Sequence, residues 1–319
     1  MTQEIISPKR LHTAVLFLVF NRPDTTRQVF EAIREAKPPR LYVSADGPRA
    51  NKSGETERSE EVRKIATAVD WPCEVKTLFR EHNLGCKHAV SSGIDWFFEN
   101  EKQGIILEDD CLPHQDFFNF CEALLNKYAD EESVWVITGD NFQDGQKRGD
   151  ASYYFSRYNH VWGWATWRRA WEKRDMSLSF WPAWKKSAQW NEWFSDNIER
   201  KYWEKIFDKM HRNEIDAWDY PWTATAWFNK GLTVTPNVNL ISNIGFGPGA
   251  THTVSNSSRN SRMKTSELGE IVFNDIIVQD NSADRYVFDE AFGGKFMRWP
   301  LSLVNLPLRV ARGIIRVLW

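Results

Sequence analysis

GIILEDDCLPHQDFF, residues 104–118, joins a short apolar run to three consecutive carboxylates, Glu108, Asp109 and Asp110. The run Gly104-Ile105-Ile106-Leu107 predicts a buried strand, and the carboxylates then fall at its C-terminal end, where open α/β sheets place their ligands. At roughly 4 Å, two like charges repel by about 1 kcal/mol in water and about 4 kcal/mol at a near-surface effective dielectric. A divalent cation, or raised pKa values, would relieve that repulsion, so the triplet points to a metal site. The following segment, Gln115 to Lys127, sets Phe117, Phe118, Cys121, Leu124 and Leu125 on one side and predicts an amphipathic helix.

Upstream the chain alternates strands and helices. Ala14 to Phe20, AVLFLVF, is a continuous apolar run of the kind buried on both faces of a parallel sheet. It ends in Asn21-Arg22-Pro23-Asp24-Thr25, where Asp24 or Thr25 offers a cap for the next helix. Leu41 to Ala45 predicts a second strand, closing on Asp46-Gly47. A charged helix from Glu55 to about Thr67, capped by Ser53, leads to a third strand near Glu74 to Phe79. This βαβαβ rhythm predicts an α/β fold with a mainly parallel sheet. Lys87 and His88 then sit near a helix start, where backbone N–H groups and the helix dipole favour an anion.

The polar stretch Gln143 to Asp150 divides a nucleotide-binding half, residues 1–150, from a second half, 151–296. Twelve of the seventeen Trp lie between Trp162 and Trp227, in that second half. Trp suits both a core and the C–H face of a sugar, and core packing should account for most of them. Helices are expected at Trp167 to Lys173 and about Gln189 to Met210, and another near Asp219, with Pro221 close to its start. Strands at Leu232 to Thr235 and Asn239 to Ser242 lead to the loop GFGPGATHT, residues 245–253, with His252 near its end.

The formal charge of −2 provides no basic field for nucleic acid. The four cysteines lack metal or disulfide-framework spacing, which predicts free thiols in a reducing, cytoplasmic setting. No apolar run approaches the ~20 residues of a membrane span. The tail, residues 297–319, predicts a basic amphipathic helix from Pro307, with Leu308, Ala311, Ile315 and Leu318 set against Arg309, Arg312 and Arg316. Such a helix fits peripheral attachment to an anionic inner membrane surface or docking on the protein's own core.

IILEDDCLPHQDFFNF, with NRP after the first strand, SADG after the second, WDYPW, and GFGPGATHT, resembles the GT-A fold of inverting nucleotide-sugar glycosyltransferases. The likeness is to N-acetylglucosaminyltransferase I and to bacterial polysaccharide glycosyltransferases, and it spans about residues 13–253. It implies a Rossmann-like sheet with flanking helices and a Trp-rich acceptor half. It also implies transfer from a UDP-sugar, such as UDP-N-acetylglucosamine, to a saccharide or lipid-linked saccharide in surface polysaccharide assembly. By this resemblance Asp110 binds Mn²⁺ or Mg²⁺, Glu108 and Asp109 contact ribose or bound water, and Asn21, Arg22 and Asp46 hold the nucleoside. Lys87 lies near the phosphates, and His252 is a second metal or phosphate contact. The catalytic base is Asp219, with Asp216 as the other candidate; the family's WDD-like form is not reproduced, since Tyr220 follows Asp219. Two other classes fit parts of the pattern. A sugar nucleotidyltransferase shares acidic metal sites but calls for a glycine-rich pyrophosphate loop, and NRPDTTR has no glycine. A carbohydrate-binding module would use the Trp-rich half and leave the triplet without a purpose.

Overall fold

The computed structural model describes residues 11–246, 263–299 and 301. The first half is β1 (Val15–Val19), α1 (Pro23–Ala36), β2 (Arg40–Ala45), α2 (Glu55–Ala66), β3 (Glu74–Phe79), α3 (Cys86–Asn100) and β4 (Gln103–Glu108). Next come β5 (Cys111–Pro113), α4 (Gln115–Lys127), β6 (Val134–Thr138), β7 (Tyr153–Ser156), β8 (Trp164–Trp167) and the one-turn helices α5 (Arg168–Trp171) and α6 (Trp181–Trp184). The chain continues through α7 (Ala188–Trp193), α8 (Asn197–His211), α9 (Asp219–Phe228), β9 (Leu232–Pro236), β10 (Ile241–Asn243) and α10 (Asn281–Glu290).

Eight strands form one sheet in the order β3-β2-β1-β4-β8-β6-β9-β7. The first four are parallel, with Val15 opposite Leu41 on one side and Ile105 on the other. β8 runs antiparallel between β4 and β6, so the second half of the chain is woven into the sheet of the first. β9 returns parallel to β6, and β7 closes the edge antiparallel to β9. This is the mainly parallel, helix-flanked, Rossmann-like α/β sheet that the apolar runs predict. Every residue of β1 is buried because both faces are covered. Val15, Phe17 and Val19 pack in the same core as Val29 of α1, Val62 of α2 and Leu124 of α4, while Leu16 and Leu18 pack in the core that holds Ile94 and Phe97 of α3. Gly104, the second residue of β4, has no room for a side chain, which would overlap the Phe97 ring and lie 3.1 Å from the Ala14 carbonyl.

The Trp-rich half builds a third core in which Trp181, Trp184, Trp190, Trp203 and Trp227 pack with Phe207. Ten of the twelve Trp in that half are buried; only Trp162 and Trp193 are partly exposed. Core packing therefore accounts for most of the bias, as expected. Under this core Arg157 pairs with Asp284 at 3.2 Å, and Asp284 also accepts from Ser156 Oγ at 2.5 Å.

Several local expectations need correction. α1 begins at Pro23, preceded by Arg22, and neither Asp24 nor Thr25 caps it; Pro supplies the preset φ of a first helical residue instead. α2 is preceded by Gly54 at φ +71°, so Ser53 is not its cap. The single helix expected over 189–210 is two, because Asp196 starts α8 afresh by accepting the Ile198 N–H at 2.9 Å. Asp219 is the first residue of α9 and does not precede it, and Pro221, third, lies close to the helix start as expected. Among the described residues no helix is long and apolar enough to cross a membrane. All four cysteines are free thiols.

Candidate active site

The ends of β1, β2 and β4 meet the segment before α9 around one cavity of about 1190 Å³. That exceeds the roughly 300–1,000 Å³ of a single small-ligand pocket. Glu108, Asp109, Asp110, Asp216 and Asp219 all line it, so the triplet and the distant WDY carboxylate share one space.

The triplet is held from β1. The Phe20 N–H donates to Asp109 Oδ2 at 3.2 Å, and Arg22 forks across the pair, donating Nη1 to Asp110 Oδ2 at 2.9 Å and Nη2 to Asp109 Oδ1. Burial disfavours the Arg22 charge, but the carboxylates of Asp109 and then Asp110 outweigh it and hold the guanidinium protonated. Burial is also the main force on Asp109, raising its pKa against the pull of Arg22. Glu108 takes part in no hydrogen bond or ion pair among the described residues. Burial first, then the charges of Asp110 and Asp109, and more weakly that of Asp219, push it up to about 8 against Arg22. The Cys86 thiol senses the same cluster: burial raises it, followed by Glu108, Asp219, Asp216 and Asp110.

The other wall of the loop region is equally fixed. Asp46 accepts from the Gly47 N–H at 2.8 Å, the Leu84 N–H at 3.0 Å and Asn83 Nδ2 at 2.9 Å, tying the loop after β3 to the end of β2. Burial raises its pKa in spite of these donors. Gly245 closes the site beside the triplet, where a Cβ would overlap Asp110 Oδ2 and lie 2.6 Å from Arg22 Nη1. Its partner loop is joined to the triplet by the Ile244 N–H donating to the Asp110 carbonyl at 2.8 Å.

Two residues expected at the donor point elsewhere. Asn21 donates to Glu55 at 2.7 Å and does not line the cavity; its reach is spent on the carboxylate that also holds Arg49. Lys87 lies in the first turn of α3 as expected, but its ammonium donates to Asn213 at 3.2 Å and is also absent from the cavity wall. Its backbone N–H is engaged too, by Asp216 Oδ1 at 3.1 Å. His252 and most of the tail lie outside the described residues. At the start of the tail, Arg298 pairs with Asp289 at 2.9 Å and with Asp196.

Residues that motif reading missed are Arg49, Asn83, Cys86, Asn159 and His160, together with Lys201, Lys205 and Lys209 of α8, all on the cavity wall. The four-residue spacing of the three lysines was the one signal available for finding them. Aromatic side chains, among them Trp162, Tyr202, Trp203, Tyr220 and Phe292, line the same cavity.

Among the described residues no three His, Cys, Asp or Glu side chains converge to cage an ion. The donor set still fits a hard divalent cation bound mainly through a ligand's phosphates. It is all oxygen, Glu108 has no hydrogen-bond partner, and the cluster's charge exceeds what Arg22 neutralises.

No protein-family model and no curated protein sequence matches the chain. Among solved structures it is similar to a UDP-glucose pyrophosphorylase complexed with UDP-glucose, at 11% identity and a TM-score of 0.30 over 51% of this chain and 78% of that one. It is likewise similar to HddC from Yersinia pseudotuberculosis, at 10% and 0.31 over 53% and 85%. A cytidylyltransferase from Leptospira borgpetersenii serovar Hardjo-bovis gives 11% and 0.32 over 62% and 73%. Overlaps this partial reach only the general α/β arrangement and speak neither for nor against a reaction.

Proposed function

We propose that the protein is a metal-dependent, inverting glycosyltransferase that moves a sugar from a UDP-sugar to a saccharide hydroxyl. The observation that carries this reading is that the Glu108-Asp109-Asp110 triplet and Asp219, separated by over a hundred residues, line one cavity large enough for donor and acceptor together. In this reading the strand-end side takes the nucleotide, with Asp46 and Arg22 facing it and Asn21 acting indirectly through Glu55 and Arg49. Asp110, with His252 as a second contact, would hold Mn²⁺ or Mg²⁺. Such an ion, when bound, supplies positive charge to the departing diphosphate.

The chain's own part is to orient and to move one proton. Asp219 takes the proton of the acceptor hydroxyl while that oxygen bonds to the anomeric carbon. The bond from that carbon to the diphosphate breaks on the opposite side, so the configuration inverts and no covalent intermediate forms. Arg22, fixed between Asp109 and Asp110, keeps those carboxylates in place and offsets part of their charge. Peripheral attachment through the tail and a place in surface polysaccharide assembly belong to the same proposal.

Titrating UDP with and without Mn²⁺, followed by tryptophan fluorescence, tests the donor site. Binding at least tenfold tighter with the metal is expected. Equal binding in both conditions, or none in either, would overturn the metal-bridged donor. Release of pyrophosphate from a nucleoside triphosphate and a sugar phosphate would indicate nucleotidyl transfer instead.

A further inference from the structure

Lys201, Lys205 and Lys209 recur one per turn along α8 and all three line the cavity, Lys201 and Lys205 exposed and Lys209 half-buried. At 1.5 Å rise per residue they span roughly 12 Å. Ile198, Tyr202 and Ile206 alternate with them on the same wall. The helix's acidic side chains are engaged elsewhere: Glu204 accepts from Trp190 Nε1 at 2.9 Å, and Asp208 accepts from Trp181 Nε1 at 2.9 Å and Lys185 Nζ at 2.7 Å. Among the described residues none of the three ammonium groups takes part in a hydrogen bond or ion pair. The other cations on the cavity wall, Arg22 and Arg49, are both committed to carboxylates. Like charges four residues apart repel along a helix, so a row with no hydrogen-bond or ion-pair partner among the described residues fits an anion that is not part of the chain.

A second observation concerns the same cavity. Asn159 lines the cavity, is 7% exposed, and among the described residues has no hydrogen-bond partner for either Oδ1 or Nδ2. A buried amide with both ends unpaired is costly unless a ligand completes it, and a sugar hydroxyl can both donate and accept. Its neighbour His160 adds no charge, because burial pushes it down to about 3.

We propose that the acceptor is an anionic saccharide, its carboxylate or phosphate groups bound by Lys201, Lys205 and Lys209 and one of its hydroxyls by Asn159. This names the acceptor class within the glycosyl-transfer reading and rests on it. The lysines belong to α8 and the carboxylates to the strand ends, so the proposal gives the acceptor's charge to the row and the donor diphosphate to the strand-end side.

The test uses the full chain with UDP and Mn²⁺ at saturation, so that the donor site is filled. Trigalacturonate supplies a carboxylate, mannose 6-phosphate a phosphate, and the methyl ester of trigalacturonate a neutral control. At least one anion should bind tenfold or more tighter than the ester, and which one binds separates a uronate from a phosphorylated sugar. The triple variant K201Q/K205Q/K209Q should lose at least tenfold in that affinity while its UDP affinity changes less than twofold. Asn159→Ala should weaken the saccharide about fivefold or more. Equal binding of anions and ester, or a triple variant that loses UDP and not the anion, overturns the proposal with the donor site intact. If UDP itself fails to bind, the glycosyl-transfer reading falls, and this acceptor assignment falls with it.

Discussion

The two walls of the cavity are assembled in different ways. The strand-end wall draws Arg22, Asp46, Glu108, Asp109, Asp110 and Asp216 from segments scattered over the first two-thirds of the chain. Asp46, Asp109 and Asp110 are pinned there by backbone amides or by Arg22. The α8 wall is one helix, its chemistry set by a four-residue period, with ammonium groups that make no hydrogen bond or ion pair among the described residues. A pinned, partly desolvated cluster suits bond-making, since groups already oriented need no reorganisation as charge develops. A free cationic row on a helix suits selection among ligands, where charge complementarity and adaptable side chains set affinity. The difference predicts that strand-end substitutions lower kcat and that α8 substitutions raise acceptor KM.

The strongest way to break that division is Asp219→Asn. Removing the proposed base should lower kcat by about 10² to 10⁴-fold, roughly 3–5 kcal/mol of barrier, with UDP affinity unchanged. A rate within threefold of wild type, measured as released UDP under saturating donor, would place the base elsewhere and strip the strand-end side of its assigned chemistry.

How far the walls could be read in advance follows from how each is built. β1 was legible because a strand buried on both faces needs an unbroken apolar run, and Val15–Val19 is one. The triplet was legible because three adjacent carboxylates at a strand end stand out without any partner. The fork from Arg22 to Asp109 and Asp110 was not, since it joins residues 87 and 88 apart by a contact that only the folded sheet creates. Asn21 and Lys87 stand at the turn and the helix start that the sequence predicts. Their side chains went to Glu55 and Asn213, because a buried polar group takes the partner that packing offers. The Lys row does not stand out in the sequence because a charged helix face ordinarily faces water; Lys201 and Lys205 do stay exposed, and only the fold sets them at the edge of the cavity. The break between α7 and α8 was missed for want of a Pro or Gly; the signal was Asp196, a cap in the middle of an apparently continuous pattern.

A smaller effect sharpens the comparison from behind the aromatic side. Asp140 follows β6, is fully buried, and accepts the Trp162 N–H at 3.1 Å while its Oδ1 has no partner. Burial, opposed by that N–H, pushes it up to about 7. Its folded pKa thus exceeds the unfolded one, near 3.9. The folded state keeps a proton that the unfolded chain releases, so the contribution is full below about pH 4 and is lost as pH rises through about 7. Asp140→Asn, which cannot ionise, should be more stable than wild type at pH 8 by roughly 1–3 kcal/mol, with the gap closing toward pH 4. Denaturant midpoints at the two pH values measure it, and a gap that does not depend on pH would show that Asp140 is not the titrating group.

The smallest effect separates the two candidate bases. Asp216 accepts the Lys87 N–H at 3.1 Å and so caps α3 from 129 residues away. Gly85, which precedes that helix at φ +80°, has no side chain to do so, and a Cβ there would lie 3.0 Å from Asp216 Oδ2. A carboxylate used this way adds a favourable charge at the helix N-terminus and holds Cys86 and the end of α3 against the cavity. Asp216→Asn keeps an acceptor oxygen and should cost only about 0.3–1 kcal/mol of stability, with kcat within fivefold of wild type. Asp216→Ala removes the cap and should cost about 1 kcal/mol. The ranking matters more than either value. A base loses its function when made an amide, whereas a cap largely survives that change and fails only on truncation. If Asn at 216 abolished turnover while Asn at 219 spared it, the two carboxylates would exchange roles. The proton would then leave from the loop before α9, and α9's first residue would become part of the frame.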